Sequence, residues 1–242
     1  MIDTIDLSKK LIAFDSVTPA KQDIFDFLMG VFEENGFTTK QLNFDGDGSY
    51  EVINIMATYG PINTNGKHFN FLCHVDVVPP GNLEDWDTPP FEPTIKDGYL
   101  YGRGSEDMKG CTAASMVSVF KFIKENKDFN GTISFIITGD EEADSVNGVK
   151  KVVKWLKENN IRIDGSIATE SSSEKIIGDQ ITDLRYSRLR QLGGTSGHWG
   201  GWCKPIEKWN VEKWGIEYNS FSKLKHQTCK ILEIENNFRQ SK

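Results

Sequence analysis

Four short polar clusters in this 242-residue chain hold the residue types from which a catalytic centre can be built. The first is His74-Val75-Asp76, inside a run rich in Val and Phe. Alternation along a strand puts both polar side chains on one face. A neutral imidazole is a good metal ligand, and a carboxylate two residues on can hold its other ring nitrogen and fix the tautomer. The alternative is a core histidine with a satisfied partner. The second is the stretch from Gly102 to Gly110, in which Asp107 stands between glycines just before a long helical pattern. Asp107 reads either as a helix N-cap or as a carboxylate held by the turn and aimed at a metal. The third is Gly139-Asp140-Glu141-Glu142, directly after an apolar strand pattern. Three adjacent acids repel one another. They suit a solvated turn, or a cation site in which one glutamate is a ligand and its neighbour a base. The fourth is Thr169-Glu170, after another short strand, where a lone acid is either solvated or a further ligand.

One imidazole and several carboxylates suit zinc, manganese or cobalt better than a thiolate-bound metal. With a bridging carboxylate, two metals can share a water and lower its pKa. The chemistry expected is metal-assisted hydrolysis of an amide.

These clusters need a scaffold that brings them to one place. Apolar spacing predicts helices over 7–14 and 23–34, the second ended by Asn35-Gly36. Strands are expected over 37–44, 52–58 and 69–78, and Pro79-Pro80-Gly81 stops the third. A Lys-Asp-Gly turn makes 94–101 a hairpin. A helix over 108–125, a strand over 131–138, a helix over 149–159 and a short strand over 165–169 follow. Strands alternating with helices imply an α/β three-layer sandwich with a mixed, mostly parallel sheet. In such sheets ligands bind at the strand ends, and the four clusters fall at the ends of expected strands or in the loops after them.

Composition narrows the class. The chain carries 28 Lys+Arg and 35 Asp+Glu, a formal charge of −7, with 38% hydrophobic residues. That is ordinary globular composition, and acidic chains are poor nucleic-acid binders. No apolar run approaches the roughly 20 residues of a membrane span. The first ten residues lack the apolar core of a secretory signal, so a cytoplasmic setting is expected. Cys73, Cys111, Cys203 and Cys229 are scattered, which argues against a disulfide scaffold or a four-thiolate zinc site. The charge changes sign along the chain: residues 181–242 hold 11 basic and 6 acidic residues, and four of the six tryptophans. A boundary near 180–185 is expected, with 1–180 the catalytic domain and 181–242 an unrelated or irregular tail.

The residues 74–81, 102–110 and 139–142 together resemble the di-zinc aminoacylase/carboxypeptidase metallopeptidases, and within them the succinyl-diaminopimelate desuccinylase group. Trp86, Pro90-Phe91, Ser173-Glu174-Lys175 and Ile177-Gly178-Asp179 extend the likeness over residues 3–180. The resemblance implies two zinc ions, with cobalt or manganese as substitutes, and a small N-acyl amino acid as substrate. It implies that His74 and Glu170 bind one ion, Asp107 bridges both, and Glu142 binds the second. Glu141 is then general base and later proton donor, and Asp76 orients His74. The family is homodimeric. After residue 179 it continues into a dimerisation domain and a returning segment that carries a final histidine ligand. Residues 180–242 match neither, and His198 and His226 lie in no matching motif. The expectation is therefore a zinc-exopeptidase-like catalytic domain that is incomplete.

Residues 192–203, Leu-Gly-Gly-Thr-Ser-Gly-His-Trp-Gly-Gly-Trp-Cys, resemble a stretch of the glucose–methanol–choline type flavin oxidoreductases. No Gly-x-Gly-x-x-Gly follows a strand in the chain, so a dinucleotide fold is not expected. Three readings follow: a zinc-dependent amide hydrolase of the desuccinylase type, a non-catalytic chain that folds and still binds metal, and a flavin-enzyme fragment.

Overall fold

The computed structural model describes residues 2–170. The domain boundary, the tryptophan-rich stretch, the flavin-like motif, Cys203 and Cys229 lie outside the described residues. Helix α1 (Thr4–Ile12) opens on Asp3, whose carboxylate accepts the Ile5 N–H at 2.7 Å. Its Leu7, Leu11 and Ile12 are fully buried. Helix α2 (Gln22–Glu34) buries Ile24, Phe25, Leu28, Val31 and Phe32 at helical spacing. Strands β1 (Thr38–Gly46) and β2 (Ser49–Tyr59) form an antiparallel pair. Strand β3 (His68–His74) leads to the hairpin of β4 (Thr94–Lys96) and β5 (Tyr99–Tyr101). Helix α3 (Gly110–Glu125), strand β6 (Thr132–Thr138), helix α4 (Val149–Glu158) and strand β7 (Gly165–Ala168) complete the described chain.

The main sheet has the order β1-β2-β6-β3-β7. Strand β2 runs against its neighbours β1 and β6, while β6, β3 and β7 are parallel. The sheet is mixed, as expected, and β2 alone opposes the common direction. Strand β6 is buried along its whole length, as an apolar run in the middle of a covered sheet should be. One face packs against α1, α2 and α3 through Ile55, Ile133, Phe135 and Ile137, with Phe135 stacked on Phe71 at 4.8 Å. The other face meets α4 through Met56, Ile136, Val152 and Leu156. Helices on both faces give the three layers. Among the described residues no helix is long and apolar enough to cross a membrane.

The helix expected over 7–14 lies at Thr4–Ile12 and the strand expected over 52–58 at Ser49–Tyr59, and two further differences bear on the site. The apolar run over 69–78 is paired as a strand only to His74, because its partner β6 ends at Thr138. Beyond that point the run takes a new neighbour: Val77 N–H donates to Ser16 O at 3.0 Å, and Thr18 N–H to Val77 O at 3.1 Å. The helix expected from residue 108 begins at Gly110, and residues 105–109 form a separate irregular turn.

His68 opens β3 with its ring 3% exposed. Nδ1 lies 2.9 Å from Arg162 O, and Nε2 lies 2.7 Å from Ser134 Oγ. A carbonyl can only accept, so Nδ1 carries a proton, while the one proton of the Ser134 hydroxyl is also within reach of Asn70 Oδ1 at 2.9 Å. Burial holds the His68 pKa below its usual value, since charging the ring is disfavoured in this setting. The unfolded chain therefore binds a proton more readily. The contribution is fully present above about pH 6.5 and is lost as pH falls through the depressed folded value. Denaturant titrations at pH 5 and pH 7.5 are expected to show lower stability at pH 5, with a smaller difference in His68→Asn.

Candidate metal centre

Parallel β3, β6 and β7 end side by side, and each delivers part of the site at its C-terminal end. His74 is the last residue of β3, and Asp76 follows it. Glu141 and Glu142 follow β6. The register pairs Leu72 with Ala168, so Glu170, two residues further on, comes alongside His74. Its Oε1 lies 3.3 Å from His74 Nε2. Asp107 comes from the irregular turn before α3, and its Oδ1 lies 2.9 Å from the same nitrogen. Asp107 does not cap α3, whose first turn has no side-chain cap. The residue has φ −114° and ψ 101°, extended values that turn its carboxylate toward His74. Gly104 makes the turn feasible. It has φ +83°, and a Cβ there would stand 2.7 Å from Val77 Cγ1.

All six site residues expected from the sequence meet at this sheet edge. Ligand atoms of His74, Asp107 and Glu170 lie within 4.8 Å of one another, as do those of His74, Glu141 and Glu142. His74 is 2% exposed and Asp76 0%. The acidic run over 140–142 is not a solvated turn. Asp140 is buried, and its Oδ1 accepts the Tyr50 hydroxyl at 2.8 Å. Burial and that carboxylate push the Tyr50 hydroxyl up to about 12.

Asp76 does more than the sequence suggested. His74 Nδ1 lies 3.0 Å from the Asp76 backbone carbonyl and 3.5 Å from its carboxylate. The carboxylate itself accepts Glu141 N–H at 3.0 Å, Glu142 N–H at 3.0 Å and the Thr18 hydroxyl at 2.7 Å. Burial works against the charged form, but His74, the Glu142 amide and Thr18 outweigh it and lower its pKa. One buried anion thus fixes the backbone of both glutamates. Lys109 is also fully buried, donating to Phe14 O at 2.9 Å, and burial lowers its pKa to about 8. Neither Thr18 nor Lys109 was singled out from the sequence. Thr18 sits in a polar stretch between helices that reads as a linker. Lys109 has a residue type that is almost always exposed.

The profile of Peptidase family M20/M25/M40 matches residues 71–237. The chain belongs to that family. It is similar to a succinyl-diaminopimelate desuccinylase of Pelagibacter ubique (strain HTCC1062), 41% identical over 197 residues, which are 80% of this chain and 50% of that protein. It is 42% identical over 181 residues to the succinyl-diaminopimelate desuccinylase of Coxiella burnetii (strain RSA 493 / Nine Mile phase I), covering 75% of this chain and 46% of that one. The chain spans about half the length of the curated relatives it matches. An M20 family metallo-carboxypeptidase from Sulfolobus solfataricus shares the fold, with a TM-score of 0.57 at 20% identity over 72% of this chain and 39% of that one. The family is one of peptidases, and membership of it implies a divalent metal.

The residues present fit such a metal. His74 Nδ1 is held by the Asp76 carbonyl, which leaves Nε2 as the ligand atom of a neutral ring. Glu170 Oε2 is buried without a hydrogen-bond partner. Burial disfavours a charged His74, yet the carboxylates of Asp107, Asp76 and Glu170 raise its pKa well above the usual value. The proton there takes the place a cation can take. Burial and the facing Asp107 charge push Glu142 up to about 7. An acid whose folded pKa is raised destabilises the fold as pH rises from about 4.5 through about 7. In metal-free protein, Glu142→Gln is therefore expected to raise the melting temperature at pH 7.5 and leave it unchanged near pH 4. Added divalent metal should cancel or reverse that advantage, because the cation removes the repulsion.

Proposed function

We propose that this chain carries the catalytic machinery of a zinc-dependent amide hydrolase of the desuccinylase type. The substrate is N-succinyl-LL-2,6-diaminopimelate, and the products are succinate and LL-2,6-diaminopimelate. The observation that carries the reading is the convergence of His74, Asp107 and Glu170 on one point, with Glu141 and Glu142 beside it. Roughly 40% identity to desuccinylases over three quarters of the chain supports the choice of acyl group. In this reading His74, Asp107 and Glu170 hold one ion, and Asp107 and Glu142 contribute to a second. Bound zinc polarises the amide carbonyl and lowers the pKa of water.

Glu141 moves the proton. Burial, with the charges of Glu170, Asp76 and Asp107, raises its pKa, while His74 works against the shift. A carboxylate poised nearer neutrality accepts a proton from the attacking water and returns it to the departing amine nitrogen. Water oxygen joins the succinyl carbon as the C–N bond breaks. Asp76 stays charged and keeps the Glu141 backbone in place.

The test is metal content and turnover of the full 242-residue chain. Wild type is expected to bind at least one zinc ion, held by His74, Asp107 and Glu170, and to release succinate. Glu141→Gln is expected to keep the metal and lose about 10²–10⁴-fold in kcat. Asp107→Ala is expected to lose the metal. A folded wild-type chain that binds no zinc contradicts the proposal.

A further inference from the structure

The segment between α1 and α2 touches three of the four segments that carry the metal-centre residues, those of Asp107, of His74 and Asp76, and of Glu141 and Glu142. Phe14 O accepts the buried Lys109 ammonium, two residues beyond Asp107, at 2.9 Å. Ser16 Oγ donates to Val75 O at 2.6 Å, and Val77 N–H donates to Ser16 O at 3.0 Å, both in the loop after His74. Thr18 Oγ1 donates to Asp76 Oδ2 at 2.7 Å. Ala20 N–H donates to Gly139 O at 2.9 Å, just before Asp140-Glu141-Glu142. A Cβ at Gly139 would stand 2.9 Å from Ile53 O and from Phe25 Cζ and 3.2 Å from Ala20 Cβ, so β2, α2 and this segment together leave room for glycine alone.

We infer that residues 14–20 are a brace that sets the spacing of these three segments, with Thr18 as its positioning residue. The inference rests on the hydrolase reading for its purpose, but its geometry stands without metal. Asp76 Oδ2 receives three donors: the Thr18 hydroxyl and the N–H groups of Glu141 and Glu142. The two amides come from the loop it must hold, and the hydroxyl comes from outside that loop. Removing the hydroxyl frees one lone pair of a buried anion, and the carboxylate can then rotate away from the amides. The Glu141 carboxylate depends on those amides for its place relative to His74, so Thr18 acts on the base through Asp76. Thr18 Oγ1 is also 3.4 Å from Val77 O, but its single proton goes to the nearer, charged acceptor.

Hydrogen exchange of the metal-free, full-length chain tests this directly. Thr18→Val keeps the side-chain shape and removes the donor. It is expected to speed exchange at the Glu141 and Glu142 amides about tenfold and to leave the Phe135 amide in β6 protected. Thr18→Ser restores the donor and is expected to exchange like wild type. Ser16→Ala, which loosens the brace without touching Asp76, is expected to give a smaller change in the same loop. Unchanged exchange at Glu141 and Glu142 in Thr18→Val overturns the inference, as does equal loosening by Thr18→Ser. A parallel zinc titration separates the two readings. Where wild type binds zinc, Thr18→Val is expected to bind it at least about tenfold more weakly. Faster exchange in Thr18→Val with no zinc binding by wild type overturns the hydrolase reading and upholds the brace.

Discussion

The buried Asp76 carboxylate is the interaction on which the rest of the site depends. It sits past the end of β3, is shielded from solvent, and meets donors from two other parts of the chain. An ionised group in that setting is costly unless its lone pairs are filled. The amides of Glu141 and Glu142 and the hydroxyl of Thr18 fill them. In return the loop after β6 is fixed against the loop after β3, and the glutamate side chains are carried to His74. Without this anchor, Glu141 and Glu142 would move apart into water.

The same edge concentrates negative charge. Asp107, Glu141, Glu142 and Glu170 surround a single imidazole, and burial raises the pKa of Glu141 and Glu142. A fold does not gain stability from such a cluster on its own. The parallel trio β6-β3-β7 brings the side chains together because strand ends in one direction share one edge, and the apolar residues behind them hold the sheet rigid. The arrangement has a use if a cation completes it, and the metallopeptidase family to which the chain belongs supplies that context.

Much of this was legible in the sequence, and the exceptions have physical causes. The helix of 22–34 and the strand of 132–138 were readable because their apolar spacing matches one period without interruption. Glu141, Glu142 and Glu170 were readable because each follows an apolar strand, Asp76 because it shares a strand face with His74, and Asp107 because it stands between glycines before a helical run. The end of β3 was not. The run from Phe69 to Val78 keeps its apolar character while it changes hydrogen-bond partner at His74, and composition does not record partners. The N-cap alternative for Asp107 followed from its place before a helical run, but Asp107 lies inside the five-residue irregular turn Ser105–Lys109, and the helix begins only at Gly110. Thr18 and Lys109 were missed because their roles are contacts across 58 and 95 residues of chain. No local pattern announces a contact of that range.

The direct test of the central claim, that these carboxylates are arranged around divalent metal, is anomalous diffraction from zinc-soaked crystals of the full chain. The expected result is a zinc peak bounded by His74 Nε2, Asp107 and Glu170, with the direct 2.9 Å contact between His74 and Asp107 replaced by bonds from both to the ion. No peak at that position, with the His74–Asp107 contact intact at a pH where wild type is folded, would contradict it.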